Sequence, residues 1–261
     1  MTATMTTGSL DQQGARPPTI DAQTIVPISR DESTELATTE YARFTELVRQ
    51  LQTDDFSKPT DCPAWDVRTM IVHQVGAGEG HARWTEFLRQ FILGMRLAKG
   101  REPVDGLNDF HLSERADWSA EKAIAALPGV QARAVIGRRR FPALLRLIPI
   151  SAPGVGRFSL GFLFDVVLTR DTWIHRVDIC RATGREMTLS ADHDGRIIAD
   201  VVADWARRHG RSFELELSGA AGGSYRQGSG GDQIRMDAVD FCRTISGREK
   251  GAGLLAQQVV W

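Results

Sequence analysis

The sequence predicts an α+β protein that is mostly α, a four-helix bundle followed by a small C-terminal α+β domain. Three observations carry this expectation. Four segments between residues 33 and 183 repeat apolar side chains at helical spacing and are separated by proline- and glycine-bearing breakers. After Gly184 the texture changes to one amphipathic helix, an alternating strand, glycine-rich turns and a short closing helix. A chain of 261 residues is long enough for one large core or two modest ones. The expected division is a disordered tail over residues 1–25, the bundle over 26–184 and the small domain over 185–261.

The tail opens as MTATMTTGSLDQQGARPPTI, rich in Thr, Gly, Gln and Pro. It has no basic region followed by an apolar core, so it reads as disordered chain and not as a secretion signal. In STELATTEYARFTELVRQLQ (33–52), Phe44, Leu47, Val48 and Leu51 recur at helical spacing behind an acidic start, which predicts the first helix. The prolines and aspartates of DDFSKPTDCPAW (54–65) predict a loop. Asp66 then caps a second helix, expected to run unbroken to Met95. On its wheel Met70, Ala77, Gly80, Trp84, Phe87, Leu88 and Phe91 share the side of His73, so His73 points inward and His81 lies near the stripe's edge.

The stretch GREPVDGLNDFH reads as a loop. Ser119 caps a third helical region, interrupted at Pro128–Gly129 and resuming to about Leu147. PISAPGVGRF (149–158) reads as a breaker. The fourth helix is expected from about Ser159 to Thr183, with Gly184 as its C-cap. Beyond it, HDGRIIADVVADWARRHG (193–210) is an amphipathic helix and SFELELSG (212–219) alternates as a strand. AGGSYRQGSGGDQIRMD reads as a hairpin, and AVDFCRTISGR (238–248) as a short helix.

Composition narrows the function classes. An apolar fraction of 42% and a charged fraction of 25% are those of an ordinary soluble domain. A net charge of −1 gives no global field for nucleic acid or anionic lipid, and no stretch has the apolar length of a membrane span. The expected partner is therefore a small molecule, with no nucleic acid and no membrane. Cys62, Cys180 and Cys242 are odd in number, far apart and form no CxxC pair, which suggests reduced thiols and a cytoplasmic location.

The segment TRDTWIHRVDIC (169–180) carries the chemistry. On a helical wheel Phe164, Leu168, Asp171, His175, Asp178 and Ala182 lie within roughly 40° of one line. Leucine and phenylalanine mark that line as core-facing, so two acids and an imidazole head indoors, where an unpaired charge is expensive. Asp171 and His175, four apart, share a face. With His73 from another helix they make a three-ligand divalent metal site that leaves a coordination position open, as catalytic zinc sites do. The same ligands suit non-haem iron. Asp178 is the candidate acceptor that would orient a ligand imidazole.

Plainer readings stand beside this one. A D-x-x-x-H pair is commonly a helix hydrogen bond or ion pair, and Arg170 or Arg176 would neutralise the acids in a structural network, although both lie off the buried line of the wheel. GRRRF (137–141) with Arg146 reads as a solvated helix face rather than a phosphate patch. GGSYRQGSGG lacks the Lys-Ser/Thr of a phosphate loop. His81, His111, His193 and His209 read as surface or loop residues, Cys180 as a small buried hydrophobe, and Trp65, Trp84 and Trp173 as packing residues.

The two segments that carry the histidines resemble a known family. PTDCPAWDVRTMIVHQVGA (59–77) resembles the P…C-P-G-W-(T/D)-V-R-D-(V/L)-(V/I)-x-H signature of the mycothiol-dependent maleylpyruvate isomerase family, whose bundle has the DinB-like fold. DVVLTRDTWIHRVDICRATGRE resembles its second signature, an acid four residues before a histidine and then R-x-D. DAVDFCRTISGR is similar to the small C-terminal domain of many actinobacterial members. The resemblance spans roughly residues 35–258. It departs at Ala64, where the signature often has Gly, and at Asp171, where the isomerase pattern has Glu.

That resemblance implies a divalent metal, usually Zn2+, on His73, Asp171 and His175, and mycothiol as the thiol cosubstrate. A metal-bound thiol has a lowered pKa and attacks as a thiolate. The implied activity is addition of that thiol to, or its transfer onto, a small electrophile, of isomerase or S-transferase type. Asp178 and Arg248 are the remaining candidate catalytic residues, with Arg248, or Arg243, placed to bind a substrate carboxylate. The alternatives are a non-catalytic metal-stabilised protein that binds a small ligand, and metal-activated hydrolysis.

Overall fold

Helix α1 (Arg30–Arg49) starts where the Ser29 side chain accepts from the Glu32 amide and Glu32 reaches back to Ser29, a reciprocal cap. The computed structural model to which it belongs describes residues 18–152 and 155–261. The tail expected up to residue 25 falls mostly on residues 1–17, outside those described. Its last part is ordered. Strand β1 (Ile20–Asp21) pairs in parallel with a strand of the C-terminal sheet, and Ala22 enters the core beneath that sheet.

Asp66 caps α2 (Val67–Ala82) through the Thr69 amide, as the sequence predicts. The helix does not run on to Met95. Arg83 is extended, at φ −147° and ψ 135°, and α3 (Trp84–Ala98) sets off afresh. Its partner is α4 (Pro103–Ser113), which replaces the loop expected there. Proline at the first helical position is a start signal in that stretch. Gly94 and Gly106 face each other so closely that a Cβ on Gly106 would lie 2.1 Å from the Gly94 carbonyl oxygen. This glycine contact holds α3 against α4 and turns α3 off the line of α2. Trp84, Leu88 and Phe91, placed in the core by a continuous wheel, are therefore exposed.

Helix α5 (Ala120–Arg140), capped by Ser119, passes through Pro128 without a break. A mid-helix proline costs about 3 kcal/mol. Leu127, Val130 and Gln131 are buried around it, and that packing outweighs the local preference. A short turn, α6 (Ala143–Arg146), leads into a hairpin of β2 (Pro149–Ala152) and β3 (Gly156–Ser159), where only a breaker was expected. Ser159 caps α7 (Leu160–Phe162). The chain then widens through a π turn at Leu163–Val167 into α8 (Leu168–Thr183), closed by Gly184 in the left-handed conformation.

The second part begins with α9 (Arg196–His209) and continues with β4 (Phe213–Ser218), β5 (Gly223–Gln227), β6 (Asp232–Asp237) and α10 (Ala238–Ile245). The sheet order is β1-β5-β4-β6. β5 and β6 do not form the expected hairpin. β5 pairs antiparallel with one edge of β4, and β6 pairs parallel with the other. Along β4 the side chains of Phe213, Leu215 and Leu217 are buried and those between them exposed, which gives the sheet one core face.

Helix α8 belongs to both cores. Ile179 and Cys180 pack with Phe44, Met70, Ile71 and Leu127 of the bundle. Trp173, Ile174 and Val177 pack with Ile198, Val201, Trp205 and Phe241 on the other side. Buried on nearly every face, α8 also buries Arg170 and Arg176, which the wheel placed off the buried line. Each meets carboxylates there: Arg170 binds Asp200 (2.6 Å) and Asp204 (3.0 Å), and Arg176 forks onto Glu40 (2.8 and 3.0 Å). Arg138 of the supposed solvated face is buried as well, donating to the Phe164 carbonyl and to Thr169. No helix among the described residues is long and apolar enough to cross a membrane.

Candidate metal centre

Helices α2 and α8 place two imidazoles and a carboxylate around one small volume. One donor atom from each of His73, Asp171 and His175 falls within 4.8 Å of the other two. His175 Nε2 is 3.3 Å from Asp171 Oδ1, and His73 Nε2 is 3.9 Å from Asp171 Oδ2. Both histidines are buried, whereas the Asp171 side chain keeps 27% of its exposure, so the cluster opens toward solvent on the Asp171 side. Gln74, next to His73 on α2, donates to Asp171 Oδ2 at 2.8 Å and accepts from the Thr172 hydroxyl at 3.0 Å.

Behind the cluster its side chains have supporting partners. His175 Nδ1 lies 3.2 Å from Asp178 Oδ2. Asp178 is fully buried, and Arg248, just past α10, grips it with Nε and Nη2, both at 2.7 Å. The fork expected to bind a substrate carboxylate is thus engaged within the protein. Arg243 is engaged too, by Asp61 (3.0 Å) and Glu249 (2.5 Å). Behind His73, at 3.4 Å between the Nδ1 atoms, stands His111 of α4. His111, expected at the surface or in a loop, is buried because the stretch around it folds as α4. His193, also expected at the surface, is buried against Glu40 at 2.8 Å.

The loop expected at 54–65 supplies a wall. Thr60 accepts from the Cys62 amide (3.2 Å) and donates to the Trp65 carbonyl (2.8 Å), folding the loop back so that Trp65 covers the imidazoles. Its ring centroid is 4.7 Å from that of His73 and 5.7 Å from that of His175. Beyond its packing role, Trp65 therefore lines the centre. Cys62 Sγ sits 3.9 Å from Asp178 Oδ2 and 3.8 Å from Arg248 Nη2.

The local electrostatics divide the groups by charge. Burial holds His73 below the ordinary histidine range, so it is neutral. Burial acts on His175 in the same direction, but the carboxylates of Asp171 and Asp178 outweigh it and lift the imidazole to about 9. Burial would raise Asp171, yet the facing imidazoles hold it well below the usual carboxylate range. Burial, reinforced by Asp178, pushes the Cys62 thiol up to about 11, so Cys62 is a neutral thiol at pH 7. Two nitrogens, one carboxylate and an open side form a donor set that fits a divalent ion such as zinc.

A family model described as the mycothiol maleylpyruvate isomerase N-terminal domain matches residues 37–180. The chain is similar in fold to the crystal structure of the mycothiol-dependent maleylpyruvate isomerase, with 14% identity, 86% of this chain and 91% of that chain covered, and a TM-score of 0.54. The crystal structure of a mutant of that isomerase gives 13% identity, 89% and 97% coverage, and the same TM-score of 0.54. No curated protein matches the chain.

Proposed function

The chain belongs to the mycothiol maleylpyruvate isomerase family, and from that premise we propose that it is a metal-dependent enzyme that uses mycothiol, or a closely related low-molecular-weight thiol, on a small electrophile. The reaction class is thiol-assisted isomerisation or S-transfer. The observation that carries this reading is the convergence of His73, Asp171 and His175 within 4.8 Å, with Asp171 alone partly open to solvent.

In this reading His73, Asp171 and His175 hold a divalent ion, with zinc the first candidate. Such an ion supplies a Lewis acid that lowers the pKa of a thiol brought to its open position. The chain's own groups prepare that position. Asp178 accepts from His175 Nδ1 and so aims Nε2 at Asp171, while Arg248 fixes Asp178. Arg248 is in this account a positioning residue. Trp65 covers both imidazoles and keeps water from that side. Cys62, held as a neutral thiol, leaves the nucleophile to come from the cosubstrate.

The test is elemental analysis of the purified protein together with turnover of a panel of electrophiles, cis-unsaturated dicarboxylates included, with mycothiol, with glutathione and with no thiol. The expected result is one transition-metal ion per chain and turnover that requires thiol and disappears in His73→Ala. Turnover without thiol, turnover that survives His73→Ala, or failure to take up any metal overturns the reading.

A further inference from the structure

Which nitrogen His73 offers to the centre is decided two side-chain contacts away. Gln90 of α3 is buried, and its amide NH2 donates to the Gly76 carbonyl at 3.2 Å and to a Glu86 carboxylate oxygen at 3.1 Å. Both partners can only accept, so the orientation of the amide is set and its Oε1 must accept. Facing Oε1 at 3.0 Å is His111 Nε2, which must therefore carry a hydrogen. His111 is buried, its backbone carbonyl accepts from Arg115 Nη1 at 2.9 Å, and its ring nitrogens meet only His73 and Gln90 and no carboxylate, so it is the neutral imidazole and its Nδ1 is bare. Bare His111 Nδ1 accepts from His73 Nδ1 at 3.4 Å. Nδ1 of His73 holds the proton, and Nε2 presents its lone pair.

The opposite side of His73 agrees with this assignment. Asp171 Oδ2 already accepts from Gln74 at 2.8 Å, and at 3.9 Å it is too far from His73 Nε2 for a hydrogen bond. The relay is also built into the backbone. A Cβ on Gly76 would come within 2.7 Å of His111 Cβ, and one on Gly80 within 2.2 Å of Gln90 Oε1. The two glycines, one helical turn apart on α2, make room for the ring and the amide.

The geometry points to a tautomer lock: Gln90 and His111 hold His73 as the Nδ1-protonated imidazole, so that Nε2 faces Asp171 and His175 ready to ligate before any ion arrives. His111 and Gln90 are positioning residues. The consequence for metal affinity rests on the proposed metal centre, while the tautomer itself does not. Pre-set imidazole ligands spare an ion the reorganisation of the ring, and loss of such outer partners typically costs 10- to 100-fold in affinity.

The lock is read directly by long-range 1H–15N correlation spectra of 15N-histidine-labelled, metal-free protein, with His73→Ala and His111→Phe used for assignment. The expected spectrum has protonated Nδ1 and bare Nε2 on His73, and the reverse on His111. The opposite tautomer on either ring overturns the lock even if zinc binds. The expected tautomers in a protein that takes up no zinc leave the lock standing and remove the metal reading alone. In Gln90→Met, which keeps the volume and deletes the amide, His73 is expected to populate both tautomers and zinc affinity, measured by chelator competition, to fall about tenfold. A single unchanged tautomer with affinity within twofold of wild type, in a variant of native circular dichroism, overturns it.

Discussion

Arg248 donates from Nε and Nη2 to the two oxygens of Asp178, each at 2.7 Å, and Asp178 has no exposed surface. This fork–fork pair joins the chain's last stretch to α8 and stands directly behind His175. A guanidinium that the sequence suggested for a substrate carboxylate serves a carboxylate of the protein.

Removing that fork leaves a buried charge without its partner. Arg248→Met is expected to destabilise the fold by about 3 kcal/mol or more, the usual consequence of breaking one side of a buried pair. Metal affinity should fall roughly 10- to 100-fold as Asp178, the acceptor that orients His175, loses the fork that fixes it. Arg248→Lys, which restores charge without the planar fork, should recover part of the stability and less of the affinity. Thermal unfolding and chelator competition separate the two effects.

A second buried network is separate from the centre. Arg176 meets Glu40 through two hydrogen bonds and Asp194 at 2.6 Å, all three side chains being almost wholly buried. Arg176→Met should lower unfolding stability by about 3–5 kcal/mol. The double variant Glu40→Leu/Arg176→Met should cost clearly less than the sum of the single changes, because neither charge is then left alone. Guanidinium titrations on the four proteins of the cycle measure this.

Acid stability has a local source at Asp55. Its carboxylate accepts from the Gln52 amide at 3.0 Å, from Lys58 at 2.7 Å and from Arg185 at 2.8 Å. The Gln52 amide bond first, then Lys58, and Arg185 after burial's opposing pull, lower it to about 2. A folded value below the unfolded one, near 3.9, means stability that is whole above about pH 4 and is lost as pH falls toward 2. Asp55→Asn should be less stable than wild type at pH 7, and the gap should close between those two pH values. Unfolding curves across that range test the sign.

Cys62 lies beside the centre yet is expected to be chemically quiet. A thiol at about 11 is ionised at pH 7 to roughly one part in 10⁴. Alkylation of Cys62 by iodoacetamide at pH 7 should be at least about tenfold slower than that of free cysteine, even allowing for the greater nucleophilicity of a more basic thiolate. Peptide-resolved mass spectrometry, with Cys62→Ser as control, gives the rate.

Much of the bundle was legible because its signals are local. Ser119, Asp66 and Gly184 terminate helices where their side-chain and backbone chemistry requires. The wheel through Asp171, His175 and Asp178 found a polar line that is buried at His175 and Asp178 and partly open at Asp171, since no core accepts such groups without partners. Elsewhere distant elements decide the local structure. The break at Arg83 follows from α3 meeting α4 at Gly94 and Gly106, and the continuity of α5 through Pro128 follows from packing around it.

What the chain alone determined about this protein is its helical periodicity, its caps and the pair of segments that bring His73 toward Asp171 and His175. Which groups stand behind those three side chains was decided only on folding. His111 approaches His73 from α4 with Gln90 of α3 behind it, and Arg248 approaches Asp178 from the far end of the chain. Spacing along a helix reports one face of one rod, whereas an imidazole's proton and a carboxylate's partner are set by whichever side chains the other rods deliver to hydrogen-bond distance.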